Sequence, residues 1–300
     1  MKKPSILHLI TAAKNASPFD VNMAYDAGYE HIMPYSNVTL AELAGLAQDA
    51  IFSRSPSGVK KEALFIGGRD IDLAIQMLEV AKKSMFAPFE CSIFADPSGA
   101  FTTAAAIVAK LALHLNKQFN EDLRGKTLCV FGANGPVGGC AAIIAAQQGA
   151  LVQLVTHKSV AELEAKVKHW NMKYQIDLIV VDGTTAQNKQ QVLQNADLVI
   201  CAAAAGVQVI SYDALQQAKK LKVLADVNAV PPLAVEGLAF DSDGEQVTGS
   251  QVFGIGALAI GQLKYLTQQQ LLQQMLHAEK PLVLEFTAAF KLARELLEAS

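Results

Sequence analysis

Three glycines, Gly132, Gly135 and Gly138, stand three residues apart in the stretch FGANGPVGG, directly behind an apolar run and ahead of an alanine-rich one. Bare backbone at such a place suits one kind of chemistry: it lets the amides that open a helix approach an anion. Gly132 permits a tight turn, Gly135 lets a dinucleotide pyrophosphate come close to the main chain, and Gly138 lets the helix lie near the sheet. Pro136 suits the first helical turn, where its missing N–H costs little, and Asn134 and Val137 complete the expected seat. The spacing is GxxGxxG and not GxGxxG, so a glycine turn needed only for packing stays open as the alternative.

About 20 residues further on, an NAD site presents an acid to the ribose 2′-hydroxyl. Here the segment reads LVQLVTHKS. Thr156, His157, Lys158 and Ser159 offer hydroxyls and a cation, a set suited to a 2′-phosphate. The expected cofactor is NADP, with NAD possible; the alternative is that His157 and Lys158 only solvate a helix start. Ala203 in the alanine run after ADLVIC, Asn228 in the stiff loop ADVNAVPPL and Gly256 in GIGALAIGQLKYL are further expected cofactor contacts. For the last stretch, contact with a flat ring and tight helix packing explain the glycines nearly equally well.

Two other stretches carry chemistry-bearing groups. DPSGAFTTAAA sets Asp96 and hydroxyls at a strand-to-helix turn, as a polar-ligand site or an ordinary helix cap. TAAKNASPFDVNMAYDAG brings Lys14, Asp20 and Asp26 near a first strand end, where any of them is alternatively a surface charge. No Ser/His/Asp or Cys/His arrangement is recognisable, which argues against nucleophilic hydrolysis. The four cysteines form no CxxC pair and the six histidines no HxxxH or HExxH; no metal is expected, and the thiols read as free and buried in a reducing compartment.

The elements that must position these groups follow a βα alternation along 300 residues, enough for two α/β domains. Residues 1–120 read as a parallel-sheet substrate domain, joined by the polar stretch 116–126 to a Rossmann-type dinucleotide domain over 121–280. A terminal helix over about 281–300 is expected to pack back on the first domain. A cleft between the domains is the expected ligand site. Net charge is −3 with no basic run, which excludes a nucleic-acid partner on electrostatic grounds. The start MKKPSILHLITAAKNAS mimics an export signal, but Pro4 and His8 interrupt it. Lys110 breaks the longest apolar stretch, so no membrane span is expected; cytoplasmic residence and self-association are.

Taken together, SILHLITAAKNASPFDVNMAYDAG, FIGG, FADPSGAFTTAAA, FGANGPVG, DVNAVPPL and GIGALAIGQLKY resemble the bacterial NAD(P)-dependent methylene-tetrahydromethanopterin dehydrogenases of one-carbon metabolism in methylotrophs. The resemblance spans nearly the full length. It implies hydride transfer from the methylene carbon between two pterin nitrogens to a nicotinamide, giving a methenyl cation. Such a reaction moves no proton with the hydride, which fits the missing catalytic motif. The resemblance casts Asp20 or Asp96 as compensating negative charge and Lys264 and Lys14 as anchors of the pterin. Two rivals stay open: a methylene-tetrahydrofolate dehydrogenase, and a non-catalytic NADP-binding sensor.

Overall fold

The structure is a computed structural model and describes residues 3–299. Met1 and Lys2, the head of the segment weighed as an export signal, and Ser300, the end of the expected terminal helix, lie outside the described residues. In chain order the first elements are β1 (Ile6–Ile10), α1 (Pro18–Asp26), β2 (His31–Tyr35), α2 (Leu43–Phe52), α3 (Pro56–Val59), β3 (Glu62–Ile66), α4 (Ile71–Lys83) and β4 (Ser92–Ala95). After a 3-10 turn at Pro97–Gly99 come α5 (Ala100–Phe119), β5 (Thr127–Phe131), α6 (Pro136–Gln147), β6 (Leu151–Thr156), α7 (Val160–Tyr174), β7 (Leu178–Asp182) and α8 (Ala186–Asn195). The rest are β8 (Leu198–Cys201), α9 (Tyr212–Gln217), β9 (Val223–Asp226), β10 (Asp243–Gln246), β11 (Phe253–Ile255), α10 (Ala257–His277), β12 (Val283–Leu284) and α11 (Phe286–Glu298).

Two compact units result, one formed by the chain up to Thr102 with Tyr265–Leu292, the other by Thr103–Lys264 with the chain from Ala293. The division falls inside α5, α10 and α11, whereas the sequence places it at the polar stretch 116–126. A helix carries its hydrogen bonds straight through such a boundary, so composition does not mark it.

The first unit holds a five-stranded sheet in the order β12-β4-β3-β1-β2, parallel at every pairing. β3 and β4 are buried along their whole length, as the continuous apolar runs of strands covered on both faces require. The terminal segment joins this sheet: Val283 and Leu284 pair with Ile93 and Phe94, and the Phe286 ring meets Phe101 edge-on at 5.4 Å. Because the chain leaves β1 first to one side and then to the other, the winding reverses between β1 and β3. In open parallel sheets, ligands gather at the carboxyl ends of the strands beside such a reversal.

The second unit has seven strands ordered β10-β11-β9-β8-β5-β6-β7, parallel except for β10. Counted from β5, the six parallel strands follow the 3-2-1-4-5-6 order of dinucleotide-binding sheets, with the reversal between β5 and β8. Position in the sheet explains strand composition. Central β8 and β9 are wholly buried, while the edge strands β7 and β10 show exposed residues.

Among the described residues one helical stretch, Pro97–Phe119, is long and apolar enough to cross a membrane, but 78% of its apolar window is buried inside the protein. Lys110 on it donates to both carboxylate oxygens of Asp243 at 2.8 Å, and His114 Nε2 lies 2.9 Å from the same carboxylate. The cation that interrupts the apolar stretch thus fastens β10 to α5, and these bonds pull the Asp243 carboxyl far below the usual carboxylate range. Cys91, Cys129, Cys140 and Cys201 are free and buried, in line with the reading of the thiols.

Candidate active site

The turn after β5 is built by contact, with little contribution from side chains. Gly132 has φ +81°, and a Cβ there would overlap the carbonyl of Ala202 at the end of β8. A Cβ on Gly138 would come within 2.6 Å of the Gly132 carbonyl. These two glycines therefore let β5, the head of α6 and the end of β8 close on one another. Gly135 differs: its backbone is extended, with φ −78° and ψ 162°, and the nearest atom to an added Cβ is the Gly132 carbonyl at 3.3 Å. Backbone strain does not explain that glycine, and the crowding is far milder than at Gly132 or Gly138.

Gly135 is also the N-cap of α6 and makes no side-chain cap, while Pro136 occupies the first turn. The amides that open this helix have no intrahelical acceptor and take no side-chain cap from Gly135, so they carry the partial positive charge that an anion seat requires. Asn134 is exposed, and Pro136 and Val137 are half-buried around it. A pyrophosphate fits this donor set: bare main chain, a helix N-terminus and no carboxylate in the turn.

The other expected cofactor positions lie at the carboxyl ends of neighbouring strands. Ala203 follows β8, its amide among the atoms nearest a Cβ on Gly132. Thr156 ends β6, is buried, and accepts the Lys158 amide through Oγ1 at 3.1 Å. His157, Lys158 and Ser159 are exposed, Ser159 as an N-cap of α7 with no side-chain cap bond. Asn228 is buried and spends its amide on its own loop, Oδ1 accepting the Val230 amide at 3.0 Å and Nδ2 donating to the Pro232 carbonyl at 3.1 Å. Asp226 accepts the Asn228 and Ala234 amides at 2.9 and 2.8 Å, which sets the path of that loop; burial raises its pKa. At Gly256 a Cβ would overlap the carbonyl oxygen of Phe240, so of the two explanations for the GIGA glycines, packing accounts for this one.

One residue escaped the sequence reading. β7 lies beside β6 with Asp182 in register with Thr156, and the Gly183 amide donates to the Thr156 carbonyl at 2.7 Å. An acid therefore stands at the end of the strand next to the expected ribose segment. It is invisible in LVQLVTHKS because it comes from a later strand; the only signal is the strand order.

In the first unit the carboxyl ends of β1 and β3 gather side chains instead. Asp20 sits in the first turn of α1 and is only 4% exposed; the helix N-terminus favours its negative charge. Gln268 of α10 donates to Oδ1 at 3.5 Å, and Oδ2 lies 3.5 Å from where a Cβ on Gly67 would be. Lys14 is exposed in the loop after β1, where Thr11 Oγ1 accepts the Ala13 amide at 3.0 Å. Lys264 is half-buried on α10, four residues before Gln268 and thus on the same helix face.

Asp96 realises the capping alternative. It is fully buried, its Oδ1 accepting the Phe101 and Thr102 amides at 2.9 and 3.2 Å and its Oδ2 the Thr102 hydroxyl at 2.6 Å. Its charge holds the start of α5. The adjoining Ser98 has φ +56° and donates to the Gly68 carbonyl at 2.8 Å, tying the turn after β4 to the one after β3. Ser98 and Thr102 belong to the hydroxyls that DPSGAFTTAAA offers at this turn, whereas Gln268 carries no motif, since a single polar residue in an ordinary helix gives no signal.

Known proteins supply the chemistry. A family profile described as methylene-tetrahydromethanopterin dehydrogenase, N-terminal, matches residues 18–98. The NAD(P)-dependent methylenetetrahydromethanopterin dehydrogenase of Methylorubrum extorquens is 41% identical over 292 residues, covering 97% of this chain and 98% of that protein. Shikimate 5-dehydrogenase from Listeria monocytogenes, solved with shikimate and NAD, aligns at TM-score 0.50 and 13% identity over 98% of this chain and 96% of its own. Ornithine carbamoyltransferase from Pyrococcus furiosus aligns at TM-score 0.55 and 10% identity, over 93% and 86%. At such identities the structural likeness is one of fold alone, and a carbamoyltransferase beside a dehydrogenase shows that the order of elements does not choose the reaction. Identity along nearly the whole length is the stronger criterion, and by it the chain belongs to the family of NAD(P)-dependent methylene-tetrahydromethanopterin dehydrogenases.

Proposed function

We propose that the chain oxidises methylene-tetrahydromethanopterin to the methenyl form with NADP or NAD, as a cytoplasmic, self-associating enzyme of one-carbon (formaldehyde oxidation) metabolism. The observation that supports this reading is the glycine turn with an uncapped helix start at the β5/β8 reversal, in a chain that aligns over nearly its full length with a relative of that name. The nicotinamide, when bound, supplies the hydride acceptor.

This chain's residues would then do three things. The Gly132–Gly138 turn holds pyrophosphate on main-chain amides, and Thr156 to Ser159 surround the adenosine ribose. Ala203, Asn228 and Gly256 border the nicotinamide end. On the carrier side, Lys14 and Lys264 anchor the pterin by hydrogen bonds. Asp20 supplies the negative charge that favours positive charge developing over N–C–N, a fixed group that needs no reorganisation during the reaction. Asp96 positions the turn next to that site through its cap of α5. No general acid or base is assigned, since hydride departure leaves no proton to move.

A steady-state assay crossing tetrahydromethanopterin and tetrahydrofolate carriers with both nucleotides, read by the absorbance of reduced nicotinamide, tests the reading. The expected result is turnover with the methanopterin carrier and either nucleotide. Faster turnover with the folate carrier would assign the rival substrate, and nucleotide binding without any turnover would make the chain a sensor.

A further inference from the structure

The ribose segment has no acid of its own, yet the fold brings one to its side. Adjacent strands lie about 4.8 Å apart, and Asp182 is the register partner of Thr156 at the carboxyl edge of the sheet. The loop behind it is pinned there by the Gly183 amide on the Thr156 carbonyl at 2.7 Å. The carboxylate is itself held: Oδ1 accepts the Thr184 amide at 2.8 Å and Oδ2 accepts Asn188 Nδ2 at 2.8 Å. It is exposed and keeps its charge, because the bonds from Thr184 and Asn188 hold its pKa below the ordinary carboxylate value. A fixed, ionised acid thus ends the strand beside Thr156, two residues from which the exposed Lys158 carries the opposite sign.

We infer that Asp182 discriminates between the two nucleotides, its charge disfavouring a 2′-phosphate and so opposing Lys158. This rests on the nucleotide seat proposed above. Dinucleotide sites of this kind take the discriminating acid from the end of the second strand; here the third strand supplies it, one strand spacing further out. At that range a carboxylate does not have to touch the ribose to act. Its field on a doubly charged phosphate in a partly screened setting changes relative affinity by about three- to tenfold. Opposed charges from Lys158 and Asp182 leave NADP and NAD nearer to parity than either residue alone would.

The test compares Asp182→Asn, Asp182→Glu and the unsubstituted protein at one salt concentration. It uses adenosine 2′,5′-bisphosphate against adenosine 5′-monophosphate as competitive probes, with NADP and NAD turnover and thermal unfolding measured alongside. The stem of Lys189 packs at Gly183, so that residue stays unchanged throughout. Asp182→Asn is expected to shift the preference toward the 2′-phosphorylated member of each pair by about three- to tenfold, and Asp182→Glu to stay near the starting ratio. An equal change for both members, as general loosening of the loop would give, overturns the inference, and so does no change. Failure of the unsubstituted protein to bind either probe would instead overturn the nucleotide seat, a separate result.

Discussion

The two sheets place their reversals at the same kind of position and furnish them with opposite materials. At β5/β8 the surroundings are glycine, alanine and main-chain amides, and the glycines are needed so that backbone can approach backbone. At β1/β3 the surroundings are a buried carboxylate, a glutamine, a threonine and a lysine-bearing loop. A pyrophosphate is the same in every dinucleotide, so amides and a helix end suffice. A pterin offers a particular edge and a developing cation, which call for side chains of chosen charge and reach. One sheet end is therefore general and the other individual.

The largest effects separate packing from binding at the general end. Gly132→Ala meets both a positive φ and the Ala202 carbonyl, and is expected to cost about 3–5 kcal/mol of stability in urea unfolding. Gly135→Ala meets no positive φ and only a mild crowding, at 3.3 Å from the Gly132 carbonyl. Its melting temperature should stay close to that of the unsubstituted protein while the nucleotide KM rises about tenfold or more and the carrier KM holds, since a methyl group would stand where phosphate approaches. If both substitutions unfold the protein alike, or both leave nucleotide affinity intact, the turn serves packing only.

Next in size are the two buried acids of the individual end. Asp20→Asn should lower kcat/KM for the carrier by about 10- to 100-fold with nucleotide KM unchanged, because it removes the fixed charge proposed for the reacting centre. Asp96→Ala should act first on stability, by about 1–3 kcal/mol, through the lost cap and its stranded donors. Reversed behaviour of the pair, with Asp96 kinetic and Asp20 structural, would exchange their roles. The smallest effect belongs to an exposed cation: Lys158→Ala should weaken NADP more than NAD by about three- to fivefold, and equal weakening would remove it from the 2′-phosphate site.

What sequence reveals differs between the two ends for a physical reason. The strand–turn–helix around Gly132 is legible because everything that defines it lies within about a dozen consecutive residues. Thr156 and Asn228 fall at strand ends by the same local reading, and the strand order then sets the ends that precede Ala203 and Gly256 in the same row. Asp182 was missed because its meaning depends on that order. Gln268 and Asp20 are 248 residues apart, a distance no periodicity bridges. The unit boundary was illegible for a related reason, since it runs through the interiors of helices, whose backbone bonding does not stop there, and β12 is two residues long, too short for any pattern.

The late arrival of β12 has a consequence for how the protein is made. Its partner β4 is complete by residue 95, but Val283 and Leu284 emerge from the ribosome only after the whole of Thr103–Lys264. At a typical synthesis rate of about 5–20 residues per second, the open flank of β4 waits on the order of ten seconds or more for its last neighbour. During that interval an unpaired apolar strand edge is available to other nascent chains. The inserted unit, continuous until its short tail, can finish its sheet while the older one is still incomplete, so a chain cut short before residue 283 would carry a finished nucleotide sheet and an adhesive, unfinished one.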